Sequence, residues 1–308
     1  MLYEFYNDRL RSWNLSYFEI LINKIKLSNF YKNDEERRRT AIITGSSGTI
    51  GRQIVNLLRE ANFNVIAVSH SSDFVEYEQC DAIHQFFVDF FDFSSVFKLV
   101  ETIIKEIEQI DLIICNAAIM LNAYKLNDDC IESHFAINLI SHAILINQLS
   151  PYLIQNSRII FIASSVAYAG DINETNLDYK KASRCVRLGG KSCRELNRST
   201  DDNETGHSLV CSLHPGCVPS NLYSKVNLIC KILIYNILAP FMRTSKLAAA
   251  EILATAFDDS LVGGCYYEHL KVVNLRADIS FSVRRKLFEE INDIIKKVRI
   301  KYSEVKNK

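Results

Sequence analysis

The chain has 308 residues, enough for one large α/β domain or two small ones, and its 48% apolar content supports a substantial core and excludes wholesale disorder. Lys+Arg and Asp+Glu both number 36, so no net field draws the whole protein to nucleic acid or acidic lipid. Nine cysteines lie between Cys80 and Cys265 without a C-x-x-C pair, a pattern that predicts reduced thiols in an intracellular protein rather than a disulfide framework or a zinc site.

Residues 1–39 read as an extension ahead of a main domain over 40–308. MLYEFYNDRLRSW carries acidic residues and no uninterrupted apolar run, so no signal peptide is expected. No stretch reaches the ~18 uncharged apolar residues of a membrane span. Without a secretory signal, the N-x-[ST] sequons at Asn14, Asn173, Asn197 and Asn203 read as chance matches. Phe18, Leu21, Ile22 and Ile25 share one helical face, which predicts a helix docked on the body; an interfacial anchor is the alternative, disfavoured by Glu19 and by few cations. EERRR at 35–39 reads as a solvated link.

From Thr40 strands alternate with helices. TAIITG is a short apolar run ending in glycine, and IGRQIVNLLREA places Ile50, Ile54, Leu57 and Leu58 on one helical face. FNVIAVSH, HQFFVDFF and DLIICNAA supply three more strands, with the helix VFKLVETIIKEI before the last of them. The long helix CIESHFAINLISHAILINQL follows, then strands in SRIIFIASS, HSLVCSLHPG and GGCYYEHL, and a final helix SVRRKLFEEINDIIKKV. This alternation predicts an α/β fold: a doubly wound, Rossmann-type parallel sheet of about seven strands covered on both faces.

TGSSGTIG at 44–51 sits where the first strand becomes the first helix. Gly45 would allow the tight turn, Gly48 would let backbone approach a phosphate, and Gly51 would let the helix pack on the strand. The helix N-terminus then offers free N–H groups and a positive dipole end to a pyrophosphate. The plainer reading is a glycine-rich turn; the strand–turn–helix context at the first βαβ unit favours the dinucleotide.

The spacing G-x-x-G-x-G resembles the short-chain dehydrogenase/reductase family, whose signature is T-G-x-x-x-G-x-G. Later landmarks fall in the family's order: CNAAIM at 115–120 is similar to N-N-A-G-[IV]-M, Asn138 to the helical asparagine of the active-site relay, and Ser165 in IASS to the catalytic serine. HPGCVPS at 214–220 resembles the P-G-x-V-x-T segment beside the nicotinamide, with Ser220 for threonine. The similarity covers residues 40 to about 300. It runs to the retinol-dehydrogenase-like branch, in particular the X-linked dehydrogenase/reductase group, whose tail pattern is echoed by HPGCVPSNLY, KVNLICKILIYNIL and LVGGCYY.

The resemblance implies a nicotinamide dinucleotide held by Gly45, Ser47, Gly48, Ile50, Gly51, Asn116, Ala117, Lys191, Pro215, Gly216 and Val218, with Asp89 on the adenine. The plainer role for Asp89 is a helix N-cap. Ser69, His70 and Ser71 follow the second strand, where an acid would favour NAD and a basic residue NADP; His70 leans the reading to NADP, although a surface histidine needs no such role. Two departures stand against the cofactor: SHSSDFVEYEQCDAI is shorter than the family's usual link, and Cys115 and Ala118 replace asparagine and glycine.

In relatives a tyrosine four residues before a lysine carries the chemistry, both on one helical face. The lysine lowers the phenol's pKa from ~10, so the phenol can exchange a proton with alcohol or carbonyl near neutral pH. Two registers compete for this pair. In one, Tyr179 is the phenol, but Ser183 stands where the lysine should be. In the other, which the interval to His214 favours, Lys191 is the lysine and Arg187 occupies the tyrosine position. An arginine there is neither acid nor base, since neutralising it at pH 7 would cost upwards of ~7 kcal/mol. Gly189 and Gly190 would each weaken the helix by ~1 kcal/mol. Tyr179 or Tyr168 could instead swing in from the preceding loop.

Residues 221–243 follow the P-G segment, where relatives lid the substrate pocket. Leu228, Ile229, Ile232, Leu233 and Ile237 make a broad apolar face flanked by Lys225, Lys231 and Arg243. The readings are a helix packed on the body, a lid over a lipophilic alcohol, and an interfacial helix resting on a membrane. Two functions follow. One is an NAD(P)-dependent oxidoreductase on a lipophilic alcohol, aldehyde or ketone, using Asn138, Ser165 and Lys191, with an impaired or unorthodox proton donor. The other is a catalytically dead pseudoenzyme serving as a nucleotide-binding or protein-interaction module. The expected partners are the dinucleotide, a small lipophilic substrate, a membrane met peripherally and a second copy of the chain, with no metal and no nucleic acid; the expected location is cytoplasmic or peripherally membrane-associated.

Overall fold

The computed structural model describes residues 16–32, 37–70, 77, 81–164, 208–239, 242–274 and 281–306. Eight strands form one sheet: β1 Thr40–Thr44, β2 Asn64–Ser69, β3 Ile83–Phe87, β4 Ile110–Cys115, β5 Leu153–Ile162, β6 Leu209–His214, β7 Tyr266–Glu268 and β8 Lys271–Val272. Their order is β3-β2-β1-β4-β5-β6-β7-β8. The first seven are parallel, and β8 turns back antiparallel on β7. β1, β2 and β4 read as near-continuous apolar runs because parallel strands here are buried on both faces. The strand order reverses between β1 and β4, the point beyond whose carboxyl ends ligands bind in such sheets.

Two helical layers cover the sheet. On one face lie α1 (16–27), α3 (Thr49–Glu60) and α8 (Ser245–Ala256), packed on Ala41, Ile43, Val65, Leu112, Ile114 and Cys211. On the other lie α4 (Phe93–Ile103), α6 (Ser141–Leu149) and α9 (Phe281–Lys306), packed on Ile42, Val68, Ile113, Cys115 and Phe161. Alternate residues of each strand therefore feed opposite cores, as the two-residue period of a strand requires. α5 (Ser133–Phe135) joins α6 through a π turn at Ala136–Ile140. After β6 comes α7 (Leu228–Ile232), which continues into a π turn at Leu233–Leu238.

The N-terminal helix is docked, with Leu21 and Ile25 buried among residues of α3 and α8. Polar contacts fasten it: Lys24 Nζ lies 2.5 Å from Asp258, and the Asp259 carboxylate accepts the N–H groups of Asn29 and Phe30 at the single turn α2 (Asn29–Lys32). The basic link departs from the solvated reading. Arg37 makes a two-pronged pair with buried Asp111 at 2.7 and 2.9 Å, and Arg39 is buried with its guanidinium 4.9 Å from the Phe30 ring centre. Asp111 at the start of β4 supplies the charge that draws Arg37 in, while Phe30 offers Arg39 an aromatic face.

Candidate functional site

β1 ends at Thr44, and the chain turns at Gly45 with φ +65°, a left-handed conformation that glycine adopts without strain. A Cβ at Gly45 would lie 2.8 Å from the Cα of Ala117, and one at Gly51 would lie 2.1 Å from the Gly45 carbonyl oxygen. Turn, β4 terminus and first helical turn thus pack backbone to backbone. Gly48 is the N-cap of α3 and brings no side chain to it, and the first turn holds no acidic residue. The opening N–H groups of the helix are left for an outside acceptor, and the dipole favours an anion there. Arg52 adds a nearby cation, its Nε donating to the Ser47 carbonyl at 2.7 Å. Ile50 packs against the core from the same turn. This uncapped, acid-free helix end beside a backbone-thin turn fits the pyrophosphate of a dinucleotide.

Behind the turn lies a buried polar network. Thr44 Oγ1 accepts the N–H groups of Asn116 at 2.9 Å and Ala117 at 3.0 Å, and lies 2.8 Å from His142 Nε2. With both lone pairs engaged, the threonine proton goes to His142 Nε2, which assigns the ring's own proton to Nδ1, 3.3 Å from the Asn138 carbonyl. That assignment needs a neutral ring, and burial lowers the His142 pKa to about 4. Asn116 Nδ2 clamps the turn from the other side, donating to the carbonyls of Thr44 at 3.2 Å and Gly45 at 3.0 Å. The Asn138 side chain holds both backbone groups of Ile119, accepting from N–H at 2.8 Å and donating to C=O at 3.0 Å. Asn138 lies within the π turn, so the relay position, the β4 terminus and the glycine turn form one connected unit.

The substituted family positions leave this unit intact. Cys115 is a core residue whose thiol burial pushes well above its ordinary pKa, and Ala118 is exposed. At the end of β2, Ser69 is buried and His70 exposed. The Asp89 carboxylate accepts the Phe91 N–H at 2.8 Å, and it is Asp92 that caps α4, accepting from Ser94. Beyond β6, Pro215 and Val218 are buried and Gly216 has φ +84°. Its missing Cβ makes room for Arg243, whose Cδ would be 2.5 Å from such an atom. The Arg243 N–H donates to the Cys217 carbonyl at 2.9 Å, and its guanidinium pairs with buried Glu251 and reaches His269 Nδ1 at 2.6 Å. Thr44, His142 and Glu251 were not singled out from sequence, and Arg243 was read only as a cation flanking an apolar face. The available signals were polar residues inside apolar runs: Thr44 closing TAIIT, His142 in LISHAIL and Glu251 in AAAEIL. Ser165, Tyr168, Tyr179, Arg187 and Lys191 lie outside the described residues, and with them both registers of the proton donor.

Comparison with known proteins agrees with this architecture. The family model "short chain dehydrogenase" matches residues 39–176. Retinol dehydrogenase 13 of Mus musculus is 26% identical over 261 residues, covering 76% of each chain. The dehydrogenase/reductase SDR family member FEY of Arabidopsis thaliana is 25% identical over 290 residues, covering 85% of this chain and 76% of that one. Among solved structures, an uncharacterized protein from Mycobacterium Paratuberculosis superposes with a TM-score of 0.65 at 22% identity, over 84% of this chain and 93% of the other. The RhlG/NADP complex of Pseudomonas aeruginosa superposes with a TM-score of 0.54 at 20% identity, over 74% of this chain and 93% of the other. Over residues 39–176 the chain is thus similar to the short-chain dehydrogenases, and its relatives include retinol dehydrogenases 12 and 13.

Proposed function

We propose that residues 40–308 form an NAD(P)-dependent oxidoreductase that interconverts a lipophilic alcohol with its aldehyde or ketone, through an impaired or unorthodox proton donor, with residues 1–39 as a docked extension. The observation that carries this reading is the bare N-terminus of α3, with Gly48 at its cap and no acid in its first turn. The retinol dehydrogenase relatives support the lipophilic substrate class, and the NADP named with RhlG supports the cofactor class. The cofactor is NADP in this reading, because Ser69 and His70 put no carboxylate where the ribose hydroxyls would want one.

The bound dinucleotide supplies the hydride donor or acceptor. The α3 terminus binds its pyrophosphate, and the Thr44–Asn116 clamp keeps the turn thin enough for close approach. Asn138, anchored on Ile119, supports the proton path. Ser165 orients the substrate oxygen and Lys191 holds the ribose, as their positions in the family pattern imply. Arg187 favours the second reading, a nucleotide-binding pseudoenzyme, because a guanidinium keeps its proton at neutral pH. Turnover across an alcohol and aldehyde panel, compared between the parent and Arg187→Tyr, separates the two. Slow parent turnover that rises on substitution supports an enzyme with a lost donor. Robust parent turnover abolished by Tyr179→Phe would instead move the donor to Tyr179. Cofactor binding with no turnover in either form supports the pseudoenzyme.

A further inference from the structure

α8 carries a charge that its packing does not require. From Leu247 to Ala256 it is apolar but for Thr255 and Glu251, and Glu251 is 1% exposed. Burying a carboxylate is costly unless a cation and hydrogen bonds compensate it, and an apolar side chain would pack there without that cost. Glu251 draws its partners from three separate parts of the chain. Arg243 Nη1 and the Tyr17 hydroxyl, the latter at 3.4 Å, donate to Oε2, and His269 Nδ1 lies 3.6 Å from Oε1.

Arg243 joins this anchor to the turn after β6. Its stem fills the space where Gly216 lacks a Cβ, its N–H holds the Cys217 carbonyl, and its Nη2 reaches His269 just beyond β7. The arginine is thus fixed at the turn after β6, the buried face of α8 and the turn after β7. Glu251 neutralises its charge, so it sets a position and does not attract an anion. The turn lies at the carboxyl edge of the sheet, where the Ala163 N–H beyond β5 donates to the Leu213 carbonyl at 2.7 Å. β6 stands three strands from β1, about 14 Å at the usual strand spacing. A dinucleotide with its pyrophosphate at the α3 terminus and its adenosine toward β2 extends its nicotinamide half across β4 and β5 toward β6.

We infer that Arg243 is a positioning residue for the nicotinamide half of the cofactor, holding the turn at 215–217 against it, with Glu251 as its buried anchor. The inference rests on the oxidoreductase reading and deepens it. The test is calorimetric titration of the full chain with NADPH and with adenosine 2′,5′-bisphosphate, which carries the adenosine half alone. Arg243→Met by itself would strand a buried carboxylate, so it is combined with Glu251→Gln, which removes the charge and keeps an acceptor for Tyr17. A thermal melt near the parent's will show that the double variant is folded. It should bind the bisphosphate within about twofold of the parent and NADPH at least about tenfold more weakly. Equal losses for both ligands would make the pair merely structural, and unchanged NADPH affinity would remove its role; either result overturns the inference and leaves the cofactor reading standing. A parent that binds neither ligand overturns that reading, and the inference with it.

Discussion

Thr44 and His142 are 98 residues apart in sequence and share one proton inside the core. The histidine is neutral in the folded chain, with its pKa lowered by burial to about 4, against an ordinary value of about 6.5. Between those pH values the unfolded chain binds more protons than the folded one, so stability falls as the pH drops from about 6.5 toward 4, by at most about 3 kcal/mol. Urea unfolding across that range should show this slope in the parent and a shallower one in His142→Gln. At the other end of the network, Thr44→Val leaves the buried N–H groups of Asn116 and Ala117 without their acceptor. It should cost about 2–4 kcal/mol in unfolding free energy, with Thr44→Ser recovering most of it. Little of this was legible beforehand. A threonine closing a strand and a histidine inside a helix are visible in sequence, but their pairing depends on a register that only the assembled sheet defines. Asp89 shows the same limit, since capping fell to Asp92 three residues on.

Helices and strands were easier to read because their signals are periodic. Ile54, Leu57 and Leu58 are buried on α3, and Leu21 and Ile25 on α1, as the spacing implied. What local pattern could not supply was anything fixed by a distant partner: the two-residue β8, the single turn α2, and the pairing of Arg37 and the burial of Arg39 in a link that reads as solvated. The N-terminal helix belongs energetically to the body it covers. Leu21→Ala should destabilise the whole fold by about 2–4 kcal/mol in one cooperative transition, since Leu21 is fully buried in the layer with α3 and α8. An independent early transition in calorimetry would show instead that α1 unfolds on its own.

At the scale of the molecule, the parallel sheet places the glycine turn, the β4 terminus and the P-G segment at the same carboxyl edge, with the strand order reversing between β1 and β4. The fold was legible because each βαβ unit repeats the same apolar-run, turn and amphipathic-helix grammar. The cofactor side of the site was legible because glycine spacing encodes backbone geometry directly. The chemical side was not, because two adjacent registers of one segment offer different proton donors and sequence spacing does not choose between them. The account stands on the α3 terminus acting as the anion site of a nicotinamide dinucleotide. The direct test is a titration with reduced nicotinamide cofactor, followed by its fluorescence, on the parent and on Gly48→Asp. Aspartate is a favourable N-cap, so the variant should keep its melting temperature, while its carboxylate occupies the place meant for pyrophosphate. The account predicts saturable parent binding with a Kd below about 1 mM and at least about tenfold weaker binding by the variant. Equal affinity in the two forms, or no saturable binding by the parent at all, would contradict it.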